Sequence, residues 1–431
     1  MPRETRYYNG VASERTTTYS AVGSFRRGRP RRIAVGIALA LAVVASVGAG
    51  AAPRTPLERH VPFFPLEVLW TMDLLEPVLD GAVTDGRRIF VAARAGEVHA
   101  LDLLSGGELW KVVSPSVAPL AVGDGLVFVQ SAHALVALAA ADGDIRWSIQ
   151  LDEALAGPVT WHAGRLLLPT AAGELIALHA AHGIVVWRQP LGSAVRGHPA
   201  GDGGSVVFAS LDDGRLVALD METGRQLWMR ALGGGLSDPY ASGGRVYIGS
   251  TSNVFYALNA KHGGIDWTWR TGGDVTGPAG GDQDRIYFAS LDNVIRAVAR
   301  GSGNQQWRKA LPTRPAGGPV VADQTVVIAG IAPELHGFGA PNGESIGSYT
   351  SENDFAGPPL FRVGAPVTEA AVVLVSRAGV VQALRPRPPL PIEDPEIVPL
   401  PFDRRPFLGV ADPPLVPLPV PLPGRLVRPG H

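Results

Sequence analysis

A tryptophan returns along this chain at nearly constant intervals. From Trp70 through Trp110, Trp147, Trp187, Trp228, Trp267 and Trp307 the spacings are 40, 37, 40, 41, 39 and 40. Each closes a segment of one pattern, most complete in DDGRLVALDMETGRQLW at 212–228. The same pattern reads AGEVHALDLLSGGELW up to Trp110, AGELIALHAAHGIVVW up to Trp187 and SNVFYALNAKHGGIDW up to Trp267. A fixed period of this length means one supersecondary unit laid down repeatedly. Two further copies are damaged. APELHGFGAPNGESIG puts Ile346 where the Trp is expected, and RAGVVQALRPRP stops after its apolar run.

Each unit divides into four short strands. A Pro- or Gly-rich approach, such as AGPV (156–159), TGPA (276–279) or GGPV (317–320), leads into a β-branched or aromatic run like RVYIGS or RIYFAS. A tight turn follows, best seen at Asp213-Gly214, where glycine supplies the positive φ of a two-residue hairpin. An LVALD-type strand, a second turn at Thr223-Gly224 and the Trp strand complete the unit. Such a sheet is apolar on both faces and cannot stand alone, but stacking around an axis buries both faces and leaves only short edges. The expected fold is all-β, an eight-bladed β-propeller. The eighth unit lacks its last strand, and Leu66–Trp70 (LEVLW) is a last strand with no unit before it, so the two close the ring. Seven blades is the alternative, since the last two copies are degraded. The repeated Trp residues are assigned to packing near the blade-to-blade contacts, each indole N–H requiring an acceptor.

The flanks differ from the middle. Eight arginines fall within residues 1–32, and IAVGIALALAVVASVGAG (33–50) is apolar without interruption. The run is long enough to cross a bilayer, and the preceding charge orients the rest outward. Residues 33–52 are therefore a cleaved export signal, with Ala49-Gly50-Ala51 as its cleavage site, or an uncleaved anchor; both readings stand. Residues 53–65 are assigned to a linker, 66–385 to the propeller and 386–431 to a Pro-rich tail. Prolines in PPLVPLPVPLPG remove backbone donors and favour an extended, disordered polyproline-like tail.

Chemistry is hard to find. The chain has no Cys, which excludes disulfides, thiolate sites and an acylated N-terminal Cys. A formal net charge of −1, with 18% charged residues, carries no footprint for nucleic acid. The ten histidines are scattered, and His179 and His182 lie on a turn. Asp142/Asp144, Asp212-Asp213 and Asp282/Asp284 fall in turns, where Asp bonds local backbone. No nucleophile elbow, P-loop or zinc-protease motif occurs. No catalytic residue, cofactor or metal is assigned.

The unit Ala-x-Asp-x-x-Thr-Gly-x-x-x-Trp, intact as Ala218, Asp220, Thr223, Gly224 and Trp228, resembles the PQQ-type propeller repeat. The resemblance covers about 66–385 and speaks to fold more than to function. One branch of that family is the quinone-dependent dehydrogenases, which it implies would use a Ca²⁺-bound quinone over a Trp floor; Trp161 and Trp269 are the non-repeat candidates. The other is similar to the periplasmic propeller subunits of the outer-membrane β-barrel assembly machinery, which lack catalysis. There the resemblance implies a partner contact on the loop 193–197 entering the fourth blade, with Val195, Arg196 and Gly197, and another at Leu236-Ser237-Asp238, with Asp238. The expected function is an exported, monomeric protein-interaction scaffold of the cell envelope, not an enzyme, that assists outer-membrane protein assembly by contacting other envelope proteins such as the β-barrel assembly subunit. The open alternatives are a quinone-binding dehydrogenase-like protein and a ligand sensor anchored in the inner membrane through 33–50.

Overall fold

The computed structural model describes residues 63–387, apart from 323, 363–368, 370 and 371. The basic segment, the apolar run at 33–50 and the tail beyond 387 lie outside the described residues. The described residues contain strands and turns but no helix, and so no helix long and apolar enough to cross a membrane. The strands run from β1 (Leu66–Asp73) to β32 (Val380–Pro386). They form eight antiparallel four-stranded sheets: β2–β5, β6–β9, β10–β13, β14–β17, β18–β21, β22–β25, β26–β29, and β30–β32 with β1. These are blades 1 to 8 of a β-propeller, and the seven-bladed alternative falls. Across blades, the first strands touch one another, as β6 (Ala121–Gly123), β10 (Thr160–His162) and β14 (Val195–Gly201) do, so they form the inner ring.

Local chemistry shapes each blade. In blade 4, β15 (Val206–Leu211) turns into β16 (Arg215–Asp220) through Gly214 at φ +79°. The next turn is built by Asp220, whose Oδ1 accepts from the Thr223 hydroxyl at 2.7 Å and the Thr223 N–H at 2.9 Å. The Thr223 hydroxyl, with backbone N–H groups, holds the Asp220 carboxyl below the usual carboxylate range. Gly224, at φ +71°, closes the turn, and its bare Cα makes room for the Trp187 ring from blade 3. The repeat's Asp-x-x-Thr-Gly is thus a turn whose glycine receives the neighbouring blade's indole.

That contact recurs around the ring. Trp147, Trp187, Trp228, Trp267 and Trp307 lie over Gly183, Gly224, Gly263, Gly303 and Gly343 of the following blades. Each indole N–H donates to a carbonyl of that next blade: Trp187 to Met221 at 2.8 Å, Trp228 to Ala260 at 2.8 Å, Trp307 to Ala340 at 2.9 Å. Trp70 makes the same bond to Leu103 at 3.1 Å, from blade 8 to blade 1. Trp187, Trp228 and Trp307 are buried and the others half-buried.

The ring closes on β1, which pairs antiparallel with β32 from Leu66↔Pro386 to Asp73↔Val380. The seam is therefore a sheet made from both ends of the propeller sequence. Blade 7 departs from the expected register. Pairing sets Gly337 opposite Gly347, where blade 6 sets Ala297 opposite Trp307, so Gly347 and not Ile346 holds the Trp position. The empty place is filled from elsewhere in the chain. Phe64 lies against Gly337 and Gly347, and is buried with Phe63, Leu66, Val327, Leu335 and Leu384. Phe63 and Phe64, assigned above to the linker, are core residues: the Phe64 ring fills the place of the missing Trp in blade 7, and Phe63 packs beside it.

Candidate partner-binding site

Blades 4 and 5 meet at the inner ring around a pocket of about 390 Å³. Its lining brings together Val195, Arg196 and Gly197 with Leu236, Ser237 and Asp238, and adds Asp212, with Ala156 and Thr276 from the blades to either side. The first three lie within β14, the inner strand itself, and not in the loop before it. The Gly and Pro residues of VRGHPAG read as loop, but the strand accommodates them through an irregularity in register between Arg196 and Ala200.

The side chains divide into anchors and presented groups. Val195 and Leu236 are buried in the cores of their blades, so Val195 offers no apolar side chain to a partner. Ser210 donates to the Ser237 carbonyl at 2.7 Å and fastens blade 4 to blade 5. Asp238 accepts from the His198 N–H at 3.0 Å and from His198 Nδ1 at 2.9 Å. Its carboxylate lies directly over Gly197, at φ +65°, where any side chain would collide with it. Arg196 is the presented group. Its side chain is 53% exposed, and its guanidinium approaches Asp212 at 3.6 Å, a loose pair that a partner carboxylate can replace. The arrangement offers an exposed cation beside a carboxylate on a rigid inner strand, which suits protein recognition.

His198 and Asp212 complete this site and went unassigned in the sequence. The signal for His198 was its place one residue after the Arg196-Gly197 pair. The hydrogen bond to Asp238 is the main cause that raises the His198 pKa above its ordinary value. A raised pKa contributes stability fully below the unfolded value, ~6.5, and loses it as pH rises through the folded value. The stability difference between the parent chain and His198→Gln is therefore expected to be largest near pH 5.5 and to shrink toward pH 8.5; denaturant midpoints across that range check it, and a difference independent of pH would refute it.

The other candidates do not assemble. Trp161 is on inner strand β10, over Gly123, and donates to Asp124 at 3.1 Å. Trp269 is on β21 (Ile265–Arg270), the outer strand of blade 5, opposite Phe255. The two form no common floor for a quinone. His179, the last residue of β12 (Glu174–His179), and His182, on the turn that follows, lie ring beside ring at 4.9 Å in blade 3. Asp142 and Asp282 each accept backbone N–H groups of their own turns. Among the described residues, Glu97 and His99 of blade 1 and Glu76, from the segment that connects blade 8 to blade 1, form the group whose ligand atoms converge enough for a metal ion.

The family model described as outer membrane protein assembly factor BamB matches residues 67–156, 132–231, 185–291 and 291–387. A protein named outer membrane protein assembly factor BamB from Xanthomonas campestris is 31% identical over 286 residues, covering 59% of this chain and 70% of that protein. Another of the same name, from Moranella endobia, is 25% identical over 209 residues, 44% of this chain; the matched part spans only about half, 53%, of that relative's length. The crystal structure of BamB from Moraxella catarrhalis superposes with a TM-score of 0.61 at 18% identity, covering 74% of this chain and all, 100%, of that one; this shows shared fold.

Proposed function

Since the chain belongs to the family of outer membrane protein assembly factor BamB, we propose that it is a non-enzymatic scaffold of the cell envelope that assists outer-membrane protein assembly. On this reading it is exported by way of residues 33–50, and the pocket between blades 4 and 5 docks the β-barrel assembly subunit. The observation that carries the proposal is the convergence of Arg196, Gly197, Asp212 and Asp238 on one pocket. Arg196 supplies the accessible charge, while the His198–Asp238 clamp holds its strand in place. A rigid strand bearing one exposed guanidinium favours an acidic or carbonyl-rich partner segment.

Affinity purification from the native envelope tests this, with Arg196→Glu as the variant. The expected result is recovery of a barrel-assembly subunit with the parent chain and at least about a tenfold loss with the variant, the order that removing a hydrogen-bonded charge produces. Equal recovery with both would reject the pocket. Reduction of an artificial acceptor by the purified chain loaded with quinone and Ca²⁺ and supplied with an alcohol or sugar as electron donor would reject the non-enzymatic reading.

A further inference from the structure

We propose that Glu76, Glu97 and His99 form a zinc-type divalent metal site that clasps the seam of the ring. His99 lies on β4 (Glu97–Asp102) of blade 1 and its side chain is only 3% exposed. Its Nδ1 is 2.7 Å from Glu108 Oε1, and its Nε2 is 2.9 Å from Glu76 Oε1. A neutral imidazole has one N–H and one lone pair. With an ionised carboxylate at each nitrogen, one contact would set lone pair against lone pair, an arrangement that a metal ion held between them relieves.

Three features favour the metal. First, Glu97 Oε2 also faces Nε2, at 3.9 Å. Tetrahedral zinc with bonds of 2.0–2.2 Å separates its ligands by about 3.3 Å; the observed 2.9 and 3.9 Å lie on either side of that distance. Second, Glu108 holds Nδ1 as outer carboxylates hold zinc-bound histidines, which fixes the tautomer that turns the Nε2 lone pair to the metal. Third, the charge is of the right sign. Glu76, Glu97 and Glu108 crowd the ring, and among the described residues Lys111 is the cation paired with them, holding Glu97 Oε2 at 3.0 Å from an exposed position. The net negative charge that remains favours a divalent cation.

The repeat supplies an internal control. Blade 7 carries the same Glu-x-His at Glu334 and His336, paired at 3.2 Å. The register puts Thr313 and Ser345 where blade 1 has Glu76 and Glu108. Blade 7 therefore has the pair without the cage. Glu76 follows β1, the closing strand, so an ion here ties the strand completing blade 8 to blade 1. This inference does not depend on the partner site.

Isothermal titration of ZnCl₂ into the purified chain, with MgCl₂ as control, tests it. The expected result is one zinc per chain that raises the melting midpoint, with binding lost in Glu76→Gln and in His99→Ala. Glu108→Gln should weaken binding by about 10–100-fold, and His336→Ala should leave it unchanged. Glu76→Gln keeps the buried imidazole in place and remains informative if His99→Ala fails to fold. Absence of zinc binding, or binding that survives Glu76→Gln but is lost in His179→Ala, would overturn the proposal and leave His99 as a hydrogen-bonded link between carboxylates.

Discussion

Replacing Trp228 by Ala is expected to lower the unfolding free energy by about 3–5 kcal/mol, the range for emptying a buried aromatic site. The indole is 8% exposed and packs with Phe208, Leu216, Val246, Ile248 and Leu258. Its ring is tilted against Phe208 at a centroid distance of 5.8 Å and rests on Gly263 of blade 5. Truncation removes that contact, leaves the Ala260 carbonyl without its 2.8 Å donor, and opens a cavity between two rigid sheets that cannot collapse to fill it. Denaturant titration followed by the remaining tryptophans measures the effect. An unchanged midpoint would mean that blade contacts do not depend on the indole. Because neighbouring blades bear on each other in series, the loss should appear as weakened cooperativity as well as a shifted midpoint.

Phe64→Ala is expected to cost a similar ~3–5 kcal/mol, although position 64 precedes the first strand. Its ring is 3% exposed and lies on the bare Cα atoms of Gly337 and Gly347, the pair that replaces Ala and Trp in blade 7. Phe63 meets it edge-on at 5.3 Å, and both join the cluster linking blades 7 and 8. The substitution therefore attacks the ring where its two chain ends meet. Phe64→Leu, which keeps most of the volume, should cost less than about 1.5 kcal/mol. Equal effects of the two variants, or none from either, would show that the ring does not stand in for the missing indole.

The blades were legible because their determinants are local. Asp220, Thr223, Gly224 and Trp228 lie within nine residues and dictate a turn and the strand after it. The open eighth unit and the orphan LEVLW strand announced the closure, which β1 and β32 make. What the sequence hid depends on distant partners. Counting from the turn glycine Gly343, in step with Gly303 and Trp307, would have placed the missing Trp at Gly347, but nothing near that position names Phe64 as its substitute. Val195 and Arg196 read as loop because Gly197 and Pro199 break the strand pattern, and only the register with β15 restores it. Likewise Glu97-x-His99 is visible as a spacing that puts two side chains on one face of a strand. Glu76 and Glu108 reach that face from a connecting segment and the next strand, which no spacing announces.

Docking of the partner through the inner strand of blade 4 is best probed by photo-crosslinking in the intact envelope. A photoreactive residue is placed at Arg196 in one variant and at Arg308, on the outer strand β25 (Gln305–Ala310) of blade 6, in another. The expected result is a crosslink from position 196 to a β-barrel assembly subunit and none from position 308. The same partner captured equally from both positions, or captured only from 308, would contradict it.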